Sequence, residues 1–233
     1  MKYAATFFVM GACWLAVAAL NGGWWWLLAW PGAGCLFVGL AYALRKPALL
    51  GKRPDGTFHP ASLLLLSPYF FTTWGAWHVL CRVLRERAGE EVAPGVYVGR
   101  RPFSGELPDD VRLVVDMTGE FLPARGVRGA GGRSYFCVPT LDGSAPPDSA
   151  LAEVLERIAS RRDGEGGRGG SVYIHCAQGR GRSAALAAAV LISKGLASNV
   201  DEAEELMARA RPVVRLNAAQ RAWVTRVTRS TAG

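Results

Sequence analysis

The residues His175-Cys176-Ala177-Gln178-Gly179-Arg180-Gly181-Arg182-Ser183 bring a thiol, two glycines, two arginines and a hydroxyl together in one short run. Gly179 and Gly181 let the backbone curl so that successive amide groups point inward, and the apolar residues that follow predict a helix whose positive end faces the same hollow. Such a cradle holds a tetrahedral anion. Arg182 adds a planar fork that grips two phosphoryl oxygens at once, which a lysine does not do. The same positive potential lowers the Cys176 pKa, so a thiolate nucleophile is available near neutral pH. The Ser183 hydroxyl can donate to that thiolate and help it depart in a second step. His175 is expected to orient the loop through backbone contacts. Arg180 places charge at the mouth of the site, which favours polyanionic or lipid headgroup substrates. The chemistry implied is attack of a thiolate on phosphorus. A cysteine followed six positions later by arginine does not carry this reading alone, since Cys81 and Arg87 share the spacing. That second pair has no glycine between its ends and lies in an amphipathic helical context.

Cleaving a phosphate ester also requires a proton for the departing oxygen. Asp142, within Pro139-Thr140-Leu141-Asp142-Gly143-Ser144-Ala145-Pro146-Pro147, suits that task, with Gly143 giving the loop mobility and the prolines limiting it. An Asp-Gly pair also reads as a simple turn. Asp148 is a second candidate acid, although it equally reads as a helix cap. Asp116 ends a predicted strand, and a structural role at the border of the pocket is expected. His59, His78 and His175 are scattered, so no metal site is expected and the chemistry calls for no cofactor. Cys137 reads as a buried strand residue and not as a redox partner of Cys176.

These residues resemble the phosphate loop of the protein tyrosine phosphatase superfamily, in which His-Cys, five residues, Arg and then Ser or Thr recur. The candidate acid lies before the cysteine, unlike the order in low-molecular-weight phosphatases, and the region from about Glu90 to Thr228 looks like a compact dual-specificity phosphatase domain. The resemblance implies an α/β fold with a central sheet flanked by helices, and hydrolysis of phosphomonoesters through a cysteinyl-phosphate. Asp142 matches the family's acid loop. Ala177 departs from the lysine common in lipid-directed members. Other classes are an adaptor that binds phosphate without turnover, and a sulfur-transfer enzyme, whose anion loop is usually shorter and lacks the Arg-Ser ending.

The elements that must position this loop read as short strands followed by helices. Gly95–Gly99, Val111–Val115 and Ser134–Val138 are expected strands. A helix over Asp148–Arg161 follows Pro146-Pro147, then a loop over Gly164–Gly170. Ser171–Ile174 is expected to be a central buried strand that delivers Cys176 to a sheet edge. Helices are expected over Ser183–Lys194, Val200–Ala210 and Asn217–Thr228.

Ahead of this region the chain changes character. No charge interrupts Tyr3–Leu20 or Trp24–Leu44, and each run approaches the roughly 20 residues of a membrane-crossing helix. A second apolar run close behind the first argues against a cleaved secretory signal. The expectation is an N-terminal transmembrane helical hairpin over 1–44, a basic linker with an interfacial or re-entrant segment over 45–89, and a phosphatase domain over 90–233. Lys2 before the hairpin and Arg45, Lys46, Lys52 and Arg53 after it put both ends on the cytoplasmic side, with Trp24, Trp25, Trp26 and Trp30 at the far interface. The stretch Pro60–Cys81 contains Pro68 and His78, and a true span there would carry many arginines across against the charge bias. Basic residues following it suit anionic headgroups.

The net charge of +8 splits into +4 before Arg82 and +4 after it. That excess suits a membrane surface or an anionic substrate, while nucleic acid calls for a concentrated basic face. The expected partners are therefore a phosphorylated protein or phospholipid substrate and a membrane, with no nucleic acid. The five cysteines show no disulfide spacing, which fits a reduced compartment. The Arg-, Ala- and Gly-rich composition reads as that of a high-GC bacterium, placing the chain at the inner membrane with its catalytic domain facing the cytoplasm.

Overall fold

The computed structural model describes residues 2–127, 132–160 and 170–230. The chain forms two compact units. One gathers the chain up to Arg53 with Thr57–Arg85 and Gly119–Leu122; the other holds Pro54–Gly56, Glu86–Thr118 and the chain from Pro123 onward.

In the first unit, α1 (Lys2–Asn21) and α2 (Ala29–Ala43) lie side by side and antiparallel, with Phe8 against Gly39, Gly11 against Gly32 and Tyr3 against Tyr42. Glycine permits the close approach, because a Cβ on Gly11 would lie 2.8 Å from the Gly32 carbonyl oxygen. Two segments, Lys2–Asn21 and Gly23–Ala43, are long and apolar enough to cross a membrane. The second is not one uniform helix as expected from Trp24. Gly22 and Gly23 have positive φ, Gly23–Leu28 winds as a 3-10 turn, and the α-helix starts at Ala29 so that Pro31 falls in its first turn, where its missing N–H costs nothing.

The third apolar stretch also divides, into α3 (Pro60–Leu65) and α4 (Ser67–Leu84), with Pro68 opening the second helix. Trp30 Nε1 donates to the Leu65 carbonyl at 3.0 Å, while Tyr69 packs edge-on against Phe7. α4 turns Phe70, Trp77 and Cys81 inward, and Phe71, Val79, Leu80, Val83 and Leu84 stay exposed.

The second unit is a mixed sheet flanked by helices. β1 (Gly89–Ala93), β2 (Val96–Arg100), β3 (Val111–Thr118), β4 (Ser134–Thr140) and β5 (Ser171–Cys176) stand in the order β1-β2-β5-β3-β4. All neighbours are parallel except β1 and β2. β1 was not expected; its Glu90 and Glu91 break the apolar pattern, as edge strands often do. β5 lies between β2 and β3 and is buried throughout, the continuous apolar pattern of a central parallel strand.

Alternation along β5 sends Val172, Ile174 and Cys176 to one face and Tyr173 and His175 to the other. The first face packs on α5 (Ala150–Ala159), α6 (Arg182–Ser193), α7 (Val200–Ala210) and α8 (Ala218–Ser230) to form the main core. Tyr173 joins Val111, Val114, Ala124 and Val127 in a smaller cluster on the second. Asp148 does not cap α5, which begins after Ser149 without a side-chain cap. It instead pairs with Arg226 at 2.7 Å. The expected end of that helix at Arg161 and the loop over Gly164–Gly169 lie outside the described residues.

Candidate active site

The site lies at the carboxyl edge of the parallel strands, the usual place for ligands in such sheets. β5 ends at Cys176, α6 starts at Arg182, and Ala177–Gly181 turns the chain between them. Gly179 has φ +69°, and a Cβ there would lie 2.3 Å from the Gly99 carbonyl carbon in β2, so the turn admits no side chain at this position. Gly181 has φ −119° and is the cap of α6.

The loop closes around sulfur. The Gly179 N–H donates to Cys176 Sγ at 3.2 Å and the Ser183 hydroxyl at 3.4 Å. Burial pushes the Cys176 thiol up, but the Arg182 guanidinium, the Ser183 hydroxyl and the backbone N–H groups of Ser183 and Arg180 outweigh it, and the net displacement is downward. Arg182 is 2 % exposed. Its Nη1 donates to the Thr140 carbonyl at 2.9 Å and its Nη2 lies 3.3 Å from Asp142 Oδ1. One arginine thus joins the loop to the end of β4 and to the expected acid. Asp142 occupies a turn closed by Ser144 N–H on the Leu141 carbonyl, with Gly143 at φ +71°, and its side chain is 56 % exposed. The turn and the candidate acid are one feature.

The family model for the dual specificity phosphatase catalytic domain matches residues 110–230, just over half of the 233 residues. The chain belongs to the dual-specificity phosphatase family. Solved structures similar to it include PTPMT1 in complex with PI(5)P, at 22% identity and a TM-score of 0.54 over 62% of this chain and 97% of that one. A mouse putative dual specificity phosphatase complexed with zinc tungstate gives 24% identity and a TM-score of 0.52, over 62% of this chain and 89% of that one. Tk-PTP in its active form gives 27% identity and 0.51, over 61% and 97%. No match is found among curated proteins.

Within this dual-specificity phosphatase the other expected residues separate by position. His175 is fully buried on the sheet face opposite Cys176, with Nδ1 3.4 Å from the Cys176 carbonyl oxygen and 3.9 Å from Asp116 Oδ1. Asp116 accepts from the Thr118 N–H and hydroxyl through Oδ1, at 2.8 and 2.7 Å, and from the Tyr135 hydroxyl through Oδ2 at 2.6 Å. It ties β3 to β4 beneath the site. Asp148 is held by Arg226, which keeps its carboxyl below the usual range, the wrong state for a proton donor. Arg180 does not stand free at the mouth: its Nη2 meets Glu86 Oε1 at 2.7 Å. The five cysteines form no disulfide, and Cys137 is buried in β4. Among the described residues no three His, Cys, Asp or Glu side chains converge on a metal position.

Four residues that matter here were not expected. Asn217 and Gln220 cap α8 reciprocally, each side-chain oxygen accepting the other's N–H at 3.0 Å, an arrangement like a capping box. Their remaining amides hold the acid loop, Asn217 on the Gly143 carbonyl at 2.9 Å and Gln220 on the Ser144 carbonyl at 3.2 Å. Arg211 donates to the carbonyls of Gly179 and Gln178, and Glu86 receives both Arg180 and Arg211. The capping pattern was visible as Asn217-Ala218-Ala219-Gln220; no local signal marks Arg211 or Glu86.

Proposed function

We propose that this chain is a membrane-anchored phosphatase that hydrolyses phosphomonoesters of phosphorylated proteins through a cysteinyl-phosphate on Cys176. The observation that carries this reading is the sulfur of Cys176, displaced toward the thiolate and ringed by the Gly179 N–H, the Ser183 hydroxyl and the charge of Arg182. In the first step the thiolate attacks phosphorus, an S–P bond forms, the ester P–O bond breaks, and Asp142 gives its proton to the departing oxygen. A phosphoryl group on Arg182 competes with the Asp142 carboxyl for the same guanidinium. In the second step Asp142 takes a proton from water, the oxygen attacks phosphorus, and the S–P bond breaks with Ser183 donating to the sulfur that leaves. The loop backbone of Ala177, Gln178, Gly179, Arg180 and Gly181 binds the phosphoryl oxygens, and His175 steadies the end of β5. No metal or other cofactor enters any step.

In this reading residues 1–44 anchor the chain, 45–89 rest at or re-enter the bilayer surface, and 90–233 carry the chemistry on the cytoplasmic side of a bacterial inner membrane. The two apolar helices, the exposed apolar stripe of α4 and the flanking basic residues support it. A second reading, hydrolysis of a phospholipid headgroup, is favoured by the same anchorage and by the PI(5)P held by PTPMT1.

Full-length protein in detergent micelles tests both. Cys176→Ser should abolish phosphate release while retaining bound substrate, and undiminished turnover in that variant rejects the nucleophile. Wild-type protein should release phosphate from phosphotyrosine and phosphothreonine peptides faster than from phosphatidylglycerophosphate or PI(5)P micelles; the opposite order selects the lipid reading.

A further inference from the structure

The loop carbonyls face away from sulfur, and one side chain collects two of them. The Gln178–Gly179 peptide turns its N–H to Cys176 Sγ at 3.2 Å and its carbonyl to Arg211 Nη2 at 3.2 Å. The next peptide repeats the pattern, with the Gly179 carbonyl on Arg211 Nε at 3.0 Å and the Arg180 N–H directed at Cys176. A trans peptide is rigid and places its oxygen and its N–H on opposite sides. Gripping the two oxygens from outside therefore fixes both N–H groups inward. Arg211 is itself held: it is 4 % exposed, its Nη1 donates to the Arg87 carbonyl at 3.3 Å, and Glu86 Oε2 lies 3.5 Å from its Nη2. Glu86 also takes Arg180, and its carbonyl accepts from Arg100.

We propose that Arg211 is the positioning residue of the phosphate loop, holding the peptides of Gln178, Gly179 and Arg180 in the orientation that turns their N–H groups toward thiolate and phosphate. The proposal rests on Cys176 being the nucleophile. Arg211 acts through the backbone and also through its charge: burial pulls its guanidinium below the usual arginine range, and Cys176 is among the groups that oppose this. The other charged or titratable groups around the thiolate are Arg182 of α6 with Asp142 upon it, Arg100 of β2 in register with Cys176 and paired to Glu106, and Tyr173 and His175 of β5 itself. Glu86 and Glu90 stand behind Arg211.

Two variants of the full chain in micelles separate the contributions. The readouts are the pH dependence of iodoacetamide alkylation at Cys176, followed by peptide mass mapping, and the Ki of inorganic phosphate. R211M should displace the alkylation limb upward by about half a unit or more, because an opposite charge near the thiolate is lost. R211K keeps the charge but cannot span two carbonyls, so it should hold the limb near its wild-type position while raising the Ki about fivefold, the loss expected of one hydrogen bond. R133M, which removes an arginine bonded to the Val111 and Pro108 carbonyls away from the loop, should change neither. Wild-type values for both readouts in R211M and R211K overturn the proposal. If R211M does not fold, R211K decides alone, and a wild-type Ki overturns the assignment. Persistent turnover in C176S would instead remove the nucleophile on which the proposal stands, so the two failures differ.

Discussion

Arg182 Nη2 lies 3.3 Å from Asp142 Oδ1, so one guanidinium is shared between the proposed acid and the proposed phosphate loop. In the proposed reaction that contact keeps Asp142 beside the ester oxygen that departs. Asp142→Asn keeps the shape and removes the proton. It should slow the first chemical step about 10²- to 10⁴-fold, read as the single-turnover release of the leaving group. Substrates with a phenol of low pKa should suffer least, because their oxygen leaves without help. An equal loss for every leaving group would remove Asp142 from the role of acid. Asp142 was singled out by its glycine and prolines and by family order, whereas its contact with Arg182 was not legible, since those residues are forty positions apart.

At the level of elements, β2 presses against the proposed phosphate loop. Gly179 has a left-handed φ, and a Cβ would strike Gly99 and Arg100 of the neighbouring strand. Gly179→Ala should cost at least the roughly 1–3 kcal/mol of a residue forced into such a region. At about 2–4 °C per kcal/mol for a protein of this size, the melting temperature should fall by several degrees, with the Ki for phosphate rising as well. An unchanged melting curve would show that the loop yields without strain. The run from Val172 to Ser183 was readable because strand, loop and helix signals there are local. β1 was missed because its two glutamates hide an edge strand, and the break between α3 and α4 because an apolar run masks the effect of Pro68. Arg211, Glu86, Asn217 and Gln220 act on loops 32 to 94 positions away, a distance over which periodicity carries no information.

For the whole molecule, the apolar hairpin and the catalytic unit make opposite demands on solvent. Trp24, Leu27 and Leu20 are 80, 72 and 85 % exposed, an arrangement that water penalises and lipid does not. The full chain should therefore stay with the membrane pellet through an alkaline carbonate wash, and release into the supernatant would remove the anchor reading. Within the catalytic unit the opposite extreme is reached in α6. Every residue from Arg182 to Leu191 is buried, and five of them are alanines. Helices α5, α7 and α8 and the sheet close on it, and at those five positions only a methyl group separates its backbone from its surroundings. Interiors so densely filled transmit displacement and do not absorb it. The helix that presents Arg182 and Ser183 is a fitted axle: enlarging any one of its alanines should push the proposed anion cradle bodily out of register, from positions remote from the loop itself.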